Sequence, residues 1–112
     1  LRFSEKELKA KAGEQITIRF QNMDSIPHNF VLCKPGTLET VGMASSMMLA
    51  NPKIAEMHYV PETDDVLHFS PMLYTRSGYE MNITAPAEPG IYPYMCTFPG
   101  HWAVMKGTLI IE

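Results

Sequence analysis

Cys96, His101 and Met105 lie within ten residues of one another near the C-terminus. Between the first two runs Thr97-Phe98-Pro99-Gly100, and Pro99-Gly100 lets the chain reverse so that thiol and imidazole can face one point. A second imidazole, His28, opens a separate apolar run. Together these supply a soft thiolate, two nitrogens and a weak thioether sulfur. Two histidines and a cysteine in a plane, with a long axial methionine, are the donor set of a blue-copper electron-transfer centre. Copper(I) favours soft sulfur and copper(II) favours nitrogen, so a rigid mixed set lets both states share nearly one geometry.

Other chemistry fits these residues less well. A Cys96–His101 nucleophile pair would need an orienting acid, none follows the motif, and Met105 would have no role, so no catalytic residue is assigned. A binuclear copper centre needs a second cysteine in the loop. Zinc could take the same donors when it is the more available metal, so a recombinant sample could hold copper, zinc or neither. Cys33 reads as a small semi-buried residue or free thiol. His58 and His68 have no partner pattern and read as surface histidines.

The elements that must position these groups read mostly as strands. Leu8, Ala10 and Ala12 alternate with Lys9 and Lys11, and Ile16, Ile18 and Phe20 alternate with Thr17 and Arg19, on either side of a turn at Gly13-Glu14. Residues 28–33, 66–69, 79–83, 91–96 and 106–111 supply further short strands; Pro93 predicts an edge or irregular position for its strand. Thr37 to Ala50 has few β-branched residues and places Met43 and Met47 on one helical face. Gly42 limits the expectation there to one or two helical turns, with Thr37 as an incomplete cap signal. Asn51 to Asp65 reads as a surface excursion. Seven or eight short strands with those helical turns between them predict an all-β, antiparallel Greek-key sandwich.

On these residues the chain resembles the azurin branch of the cupredoxins, the small blue copper proteins. Cys96-Thr97-Phe98-Pro99-Gly100-His101 with Met105-Lys106-Gly107 is similar to the azurin ligand loop, and His28-Asn29-Phe30-Val31-Leu32 to the segment bearing that family's first histidine. Gly42-Met43-Ala44-Ser45 resembles the start of the short helical flap between that family's sandwich strands. The resemblance implies that His28, Cys96 and His101 bind one copper ion in a plane with Met105 on one axis. It also implies a backbone carbonyl on the other axis, here that of Pro27. It gives Asn29 the task of tying the two ligand-bearing segments together, and points the Phe98 N–H at the Cys96 sulfur, where Pro99 has no second N–H to offer. His101 would reach the surface through a docking patch for which Met43, Pro99 and Trp102 are candidates; core packing is the other reading of Trp102 and of the methionines. The chain departs from the azurin pattern with Phe30 in place of tryptophan, Pro27 in place of glycine, and no cysteine for the disulfide remote from the metal.

Length and composition bound the reading. One hundred and twelve residues, 46% hydrophobic and 19% charged, make one domain spanning 1–112. A net charge of −3 gives no basic footprint for nucleic acid, and no apolar run reaches the roughly 18–20 residues of a membrane span. Leu1 at the start, without a signal-peptide core, suits a processed protein or a domain excised from a longer one. The expected function is a one-electron carrier, not an enzyme, cycling Cu(II)/Cu(I) between larger partners such as a c-type cytochrome or a copper or haem oxidoreductase. The expected setting is periplasmic or otherwise extracytoplasmic. An electron-transfer module of a multidomain extracytoplasmic redox enzyme is the alternative, and a copper storage or delivery protein a third.

Overall fold

The alternation of residues 15–22 with residues 77–84 builds the smaller of two sheets. In a computed structural model that describes residues 2–112, β2 (Gln15–Asn22) pairs antiparallel with β5 (Ser77–Thr84), Ile16 opposite Ile83 and Ile18 opposite Met81. The larger sheet contains β1 (Glu7–Ala10), β3 (Val31–Cys33), β4 (Val66–Phe69), β6 (Gly90–Met95) and β7 (Lys106–Ile111), in the order β1-β7-β6-β3-β4. The result is a mostly β fold of seven strands in two sheets, as expected, with one amendment. β1 runs parallel to β7, Leu8 beside Leu109, so the larger sheet is mixed rather than purely antiparallel.

Strand β3 explains why its sequence is apolar without alternating. Leu32 faces one core cluster with Phe30, Tyr94, Met81, Ile83 and Leu109. Val31 and Cys33 face a second cluster with Val41, Val60 and Met95, so both faces of β3 are buried. Phe3 seals the first cluster with its ring edge-on to Phe20, Phe30 and Tyr94, at centroid distances of 5.8, 5.7 and 5.2 Å. Phe30, in the position where the resemblance led one to expect tryptophan, stacks on Tyr94 at 4.8 Å. Burying each such side chain contributes about 1.5–3 kcal/mol.

Three expectations change. The strand predicted from His28 begins only at Val31; His28 itself joins Leu73 by an isolated antiparallel bridge. Pro93 has the irregular position expected of it but not an edge strand: β6 is interior, and its pairing with β3 covers only Tyr94 and Met95 and stops before the proline. The flap is longer than one or two turns: α1 runs from Leu38 to Met47 and tightens into a 3-10 turn over Met48–Ala50. Gly42 does not break α1 because the Trp102 ring lies against it; a Cβ there would stand 2.2 Å from the ring. Thr37 occupies the cap position, but its hydroxyl donates to the Lys34 carbonyl instead of capping the helix.

Candidate metal centre

Cys96 directly follows β6, and Met105 directly precedes β7, so these paired strands fix both ends of the ligand loop. The Cys96 N–H donates to the Met105 carbonyl at 3.0 Å, and the Met105 N–H to the His101 carbonyl at 2.8 Å. Between them the chain turns through Gly100 at φ +84°, a left-handed conformation that glycine adopts without steric cost. His101 closes the turn with its N–H on the Phe98 carbonyl. His28 lies just ahead of β3, the neighbour of β6 in the same sheet, and is held by reciprocal backbone hydrogen bonds to Leu73 of 3.0 and 2.8 Å.

The donor atoms converge. Among the described residues, His28, Cys96 and His101 are a buried group whose ligand atoms all lie within 4.8 Å of one another. Cys96 Sγ stands 3.8 Å from His28 Nδ1 and 3.5 Å from His101 Nδ1. Metal bonds of about 2.3 Å to sulfur and about 2.0 Å to imidazole, set ~120° apart, require a sulfur–nitrogen spacing of about 3.7 Å. Both sulfur–nitrogen distances therefore match the spacing of such a site. Met105 is buried and tied to both loop ligands through its backbone.

The surroundings suit a thiolate held by a metal. Burial pushes the Cys96 thiol up, while the backbone N–H groups of Asn29 and Phe98, both directed at its sulfur, pull it back. A metal cation held by His28, Cys96 and His101 would supply positive charge beside the buried sulfur. Burial, and then the neighbouring His28 ring, lower the His101 pKa and keep that imidazole neutral, as a ligand must be.

Asn29 bridges the two ligand-bearing segments. Its amide accepts the Thr97 N–H at 2.8 Å and donates to Thr97 Oγ1 at 2.8 Å and to the His58 carbonyl at 3.0 Å. Sequence reasoning missed the second task, its own N–H on the Cys96 sulfur. It also missed the 51–65 segment, which is more than a surface excursion. His58 and Tyr59 both adopt positive φ, 53° and 63°, which turns the His58 carbonyl to Asn29 and lays Tyr59 against Phe98 at 5.2 Å. Neither residue is glycine, so no sequence signal marked that turn. His58 is exposed, as expected, whereas His68 is half-buried on β4.

The proposed surface residues divide. Met43 is 58% exposed on α1, with Met47 on the same face and Val104 on the ligand loop also exposed. Trp102 is half-buried: it packs on the Val41 cluster and donates its indole N–H to Ser46 Oγ at 3.1 Å. Of its two readings, packing describes most of the ring. Pro99 is half-buried, and only 6% of His101 reaches solvent. Cys33 and Cys96 are both free and buried.

A site of two imidazoles, one thiolate and one thioether, set between the strands of a β-sandwich, defines a type 1 mononuclear copper protein. The family model for copper-binding proteins of the plastocyanin/azurin family matches residues 1–112, and the chain belongs to that family. It is 35% identical to Auracyanin-A of Chloroflexus aurantiacus, over 100% of this chain and 68% of that protein. It is 33% identical to Auracyanin-B of the same organism, of which it spans about half, 47%. Azurin of Pseudomonas aeruginosa is 26% identical over 91% of this chain and 71% of its own length. Among solved structures, dithionite-reduced auracyanin from Roseiflexus castenholzii superposes with a TM-score of 0.85 at 28% identity, covering 99% of this chain and 87% of that one. The "blue" copper protein Auracyanin A superposes with a TM-score of 0.84 at 34% identity, covering 99% and 89%.

Proposed function

We propose that the chain is a one-electron carrier whose copper is held by His28, Cys96, His101 and Met105 and which exchanges electrons with larger redox proteins outside the cytoplasm. The observation that carries this reading is the preformed spacing of 3.5 and 3.8 Å from the Cys96 sulfur to the two imidazole nitrogens. When bound, copper supplies a one-electron couple. The chain's residues keep the donors in place, so little has to move as the charge changes. Asn29 and Phe98 direct N–H groups at the sulfur, Pro99 adds none, and burial excludes water. The Pro27 carbonyl is a candidate for the remaining axial position.

Partners of the class of c-type cytochromes or copper or haem oxidoreductases suit a carrier of this size, through a small and short-lived interface. The exposed methionine face of α1, beside the loop that carries His101, is where we place that contact. A role as an electron-transfer module of a larger extracytoplasmic enzyme uses the same site. Storage or delivery of copper favours exposed, exchangeable sulfur, and here Cys96 is fully buried.

The test is a copper titration followed in the visible spectrum. One equivalent of Cu(II) is expected to give an intense blue thiolate band that ascorbate bleaches and reoxidation restores. Cys96→Ala is expected to abolish the band, and a Cys96→Ala protein that stays blue overturns the assignment.

A further inference from the structure

The ring of His28 has two nitrogens, and the metal uses one. Nδ1 faces Cys96 at 3.8 Å, so a metal on that side leaves the imidazole proton on Nε2. Nε2 lies 2.8 Å from Oδ2 of Asp24, four residues earlier. The His28 side chain is 3% exposed and that of Asp24 60%, so a surface carboxylate closes over the back of a buried ligand.

The contact is built into the loop. Asn22, buried at the end of β2, accepts the Asp24 N–H on its Oδ1 at 2.8 Å. Its Nδ2 donates to the carbonyls of Ile26 at 2.9 Å and Leu73 at 2.8 Å, and Leu73 is the residue bridged to His28. One buried amide thus fixes both the carboxylate and the ligand's strand partner. Among the described residues, the other ion pair is Arg19 with Glu80; no lysine or arginine pairs with Asp24.

We infer that Asp24 is a positioning residue that accepts the Nε2–H of His28 and, through that ring, biases the bound metal toward Cu(II). The inference rests on the type 1 copper reading of the site. An anionic acceptor fixes the tautomer and ring orientation and makes the imidazole a stronger donor. A negative charge behind the ligand also favours the more highly charged metal state. Asp24→Asn keeps the shape and the acceptor oxygen but removes the charge.

The test combines redox titration with NMR. At a fixed poise, D24N is expected to lower the Cu(II):Cu(I) ratio about three- to tenfold, a full tenfold being ~59 mV for one electron. Asp24→Glu, which retains the charge, is expected to stay within about twofold of the wild type. In the zinc-loaded wild type, the Nε2–H of His28 is expected as a downfield resonance in slow exchange with water, and D24A should move it into fast exchange. A D24N ratio within about 1.5-fold of the wild type, or a D24E ratio displaced as far as that of D24N, overturns the inference. Should D24N fail to hold copper, the wild-type resonance decides, and fast exchange there overturns it. A wild-type protein that is not blue with copper refutes the type 1 reading itself, which separates the two failures.

Discussion

Two cysteines with opposite fates show how much the surroundings decide. Both are buried and free, yet only Cys96 has imidazoles beside it and backbone N–H groups on its sulfur. Cys33 sits among Val31, Val41, Val60 and Met95, and burial, with Asp65 adding to it, pushes its thiol up to about 12. That thiol is inert at neutral pH. Cys33→Ser places a hydroxyl in the apolar cluster and is expected to cost about 1–3 kcal/mol of stability in urea unfolding. The blue band should be unchanged, because Cys33 lies outside the ligand set. A large change in colour on that substitution would mean that the second cluster feeds back on the metal. The chemistry of Cys96, His101 and Met105 was legible in their spacing alone. Asp24 was not, because an acid four residues before a histidine in a loop carries no periodic signal.

Helix α1 and the ligand loop hold each other through a contact that neither segment announces. Trp102 lies flat on Gly42 and donates to Ser46, while Gly107 similarly leaves room for the Tyr94 ring, 2.5 Å from where a Cβ would stand. Propensity alone predicts that Gly42→Ala stabilises a helix by about 1 kcal/mol. The Cβ at 2.2 Å from the indole must instead displace a ring packed into the second cluster. The net effect is expected to be a loss of about 1–3 kcal/mol, the usual cost of overpacking a filled core. Urea unfolding checks the sign, and a red shift of tryptophan emission, from the chain's one tryptophan, reports displacement of the ring. A stabilised Gly42→Ala would show that the loop yields more readily than the contact implies. Gly42 read locally as a helix breaker because its partner lies sixty residues away.

Across the whole molecule, the strands bring His28 to a loop nearly seventy residues further along, and leave α1 with an exposed methionine face. If that face docks partners, Met43→Lys is expected to slow electron self-exchange between copper-loaded copies about tenfold or more, with the visible spectrum intact. NMR line broadening in mixed Cu(I)/Cu(II) samples measures this, and an unchanged rate would place docking elsewhere. The core also predicts a pH response. Tyr94, whose hydroxyl donates to the Glu5 carbonyl, is pushed up to about 12 by burial and by Glu5 and Glu7, alongside Cys33. Both groups hold their protons more tightly folded than unfolded. Stability is therefore full below about pH 9 and declines as pH rises toward 12, by about 1.4 kcal/mol per unit for each group once its unfolded form has titrated. Urea unfolding at stepped alkaline pH checks this, and Tyr94→Phe should flatten the slope.

The sequence by itself determined the donor types, the loop that presents three of them, and the strand-rich pattern, because those depend on residue identity at short range. Turn chemistry at Pro99-Gly100 and alternation in β2 and β5 are local facts, readable without a partner. Tertiary structure alone decided which residues stand behind the ligands. The His58 carbonyl on Asn29 and Trp102 on Gly42 each join segments whose nearness depends on the closed sandwich, and Asp24, though only four residues from His28, is held at its ring by a loop that Asn22 ties to Leu73. It also decided that β1 runs beside β7 and that Pro93 lies in an interior strand, since register follows from which faces are buried once both sheets are assembled.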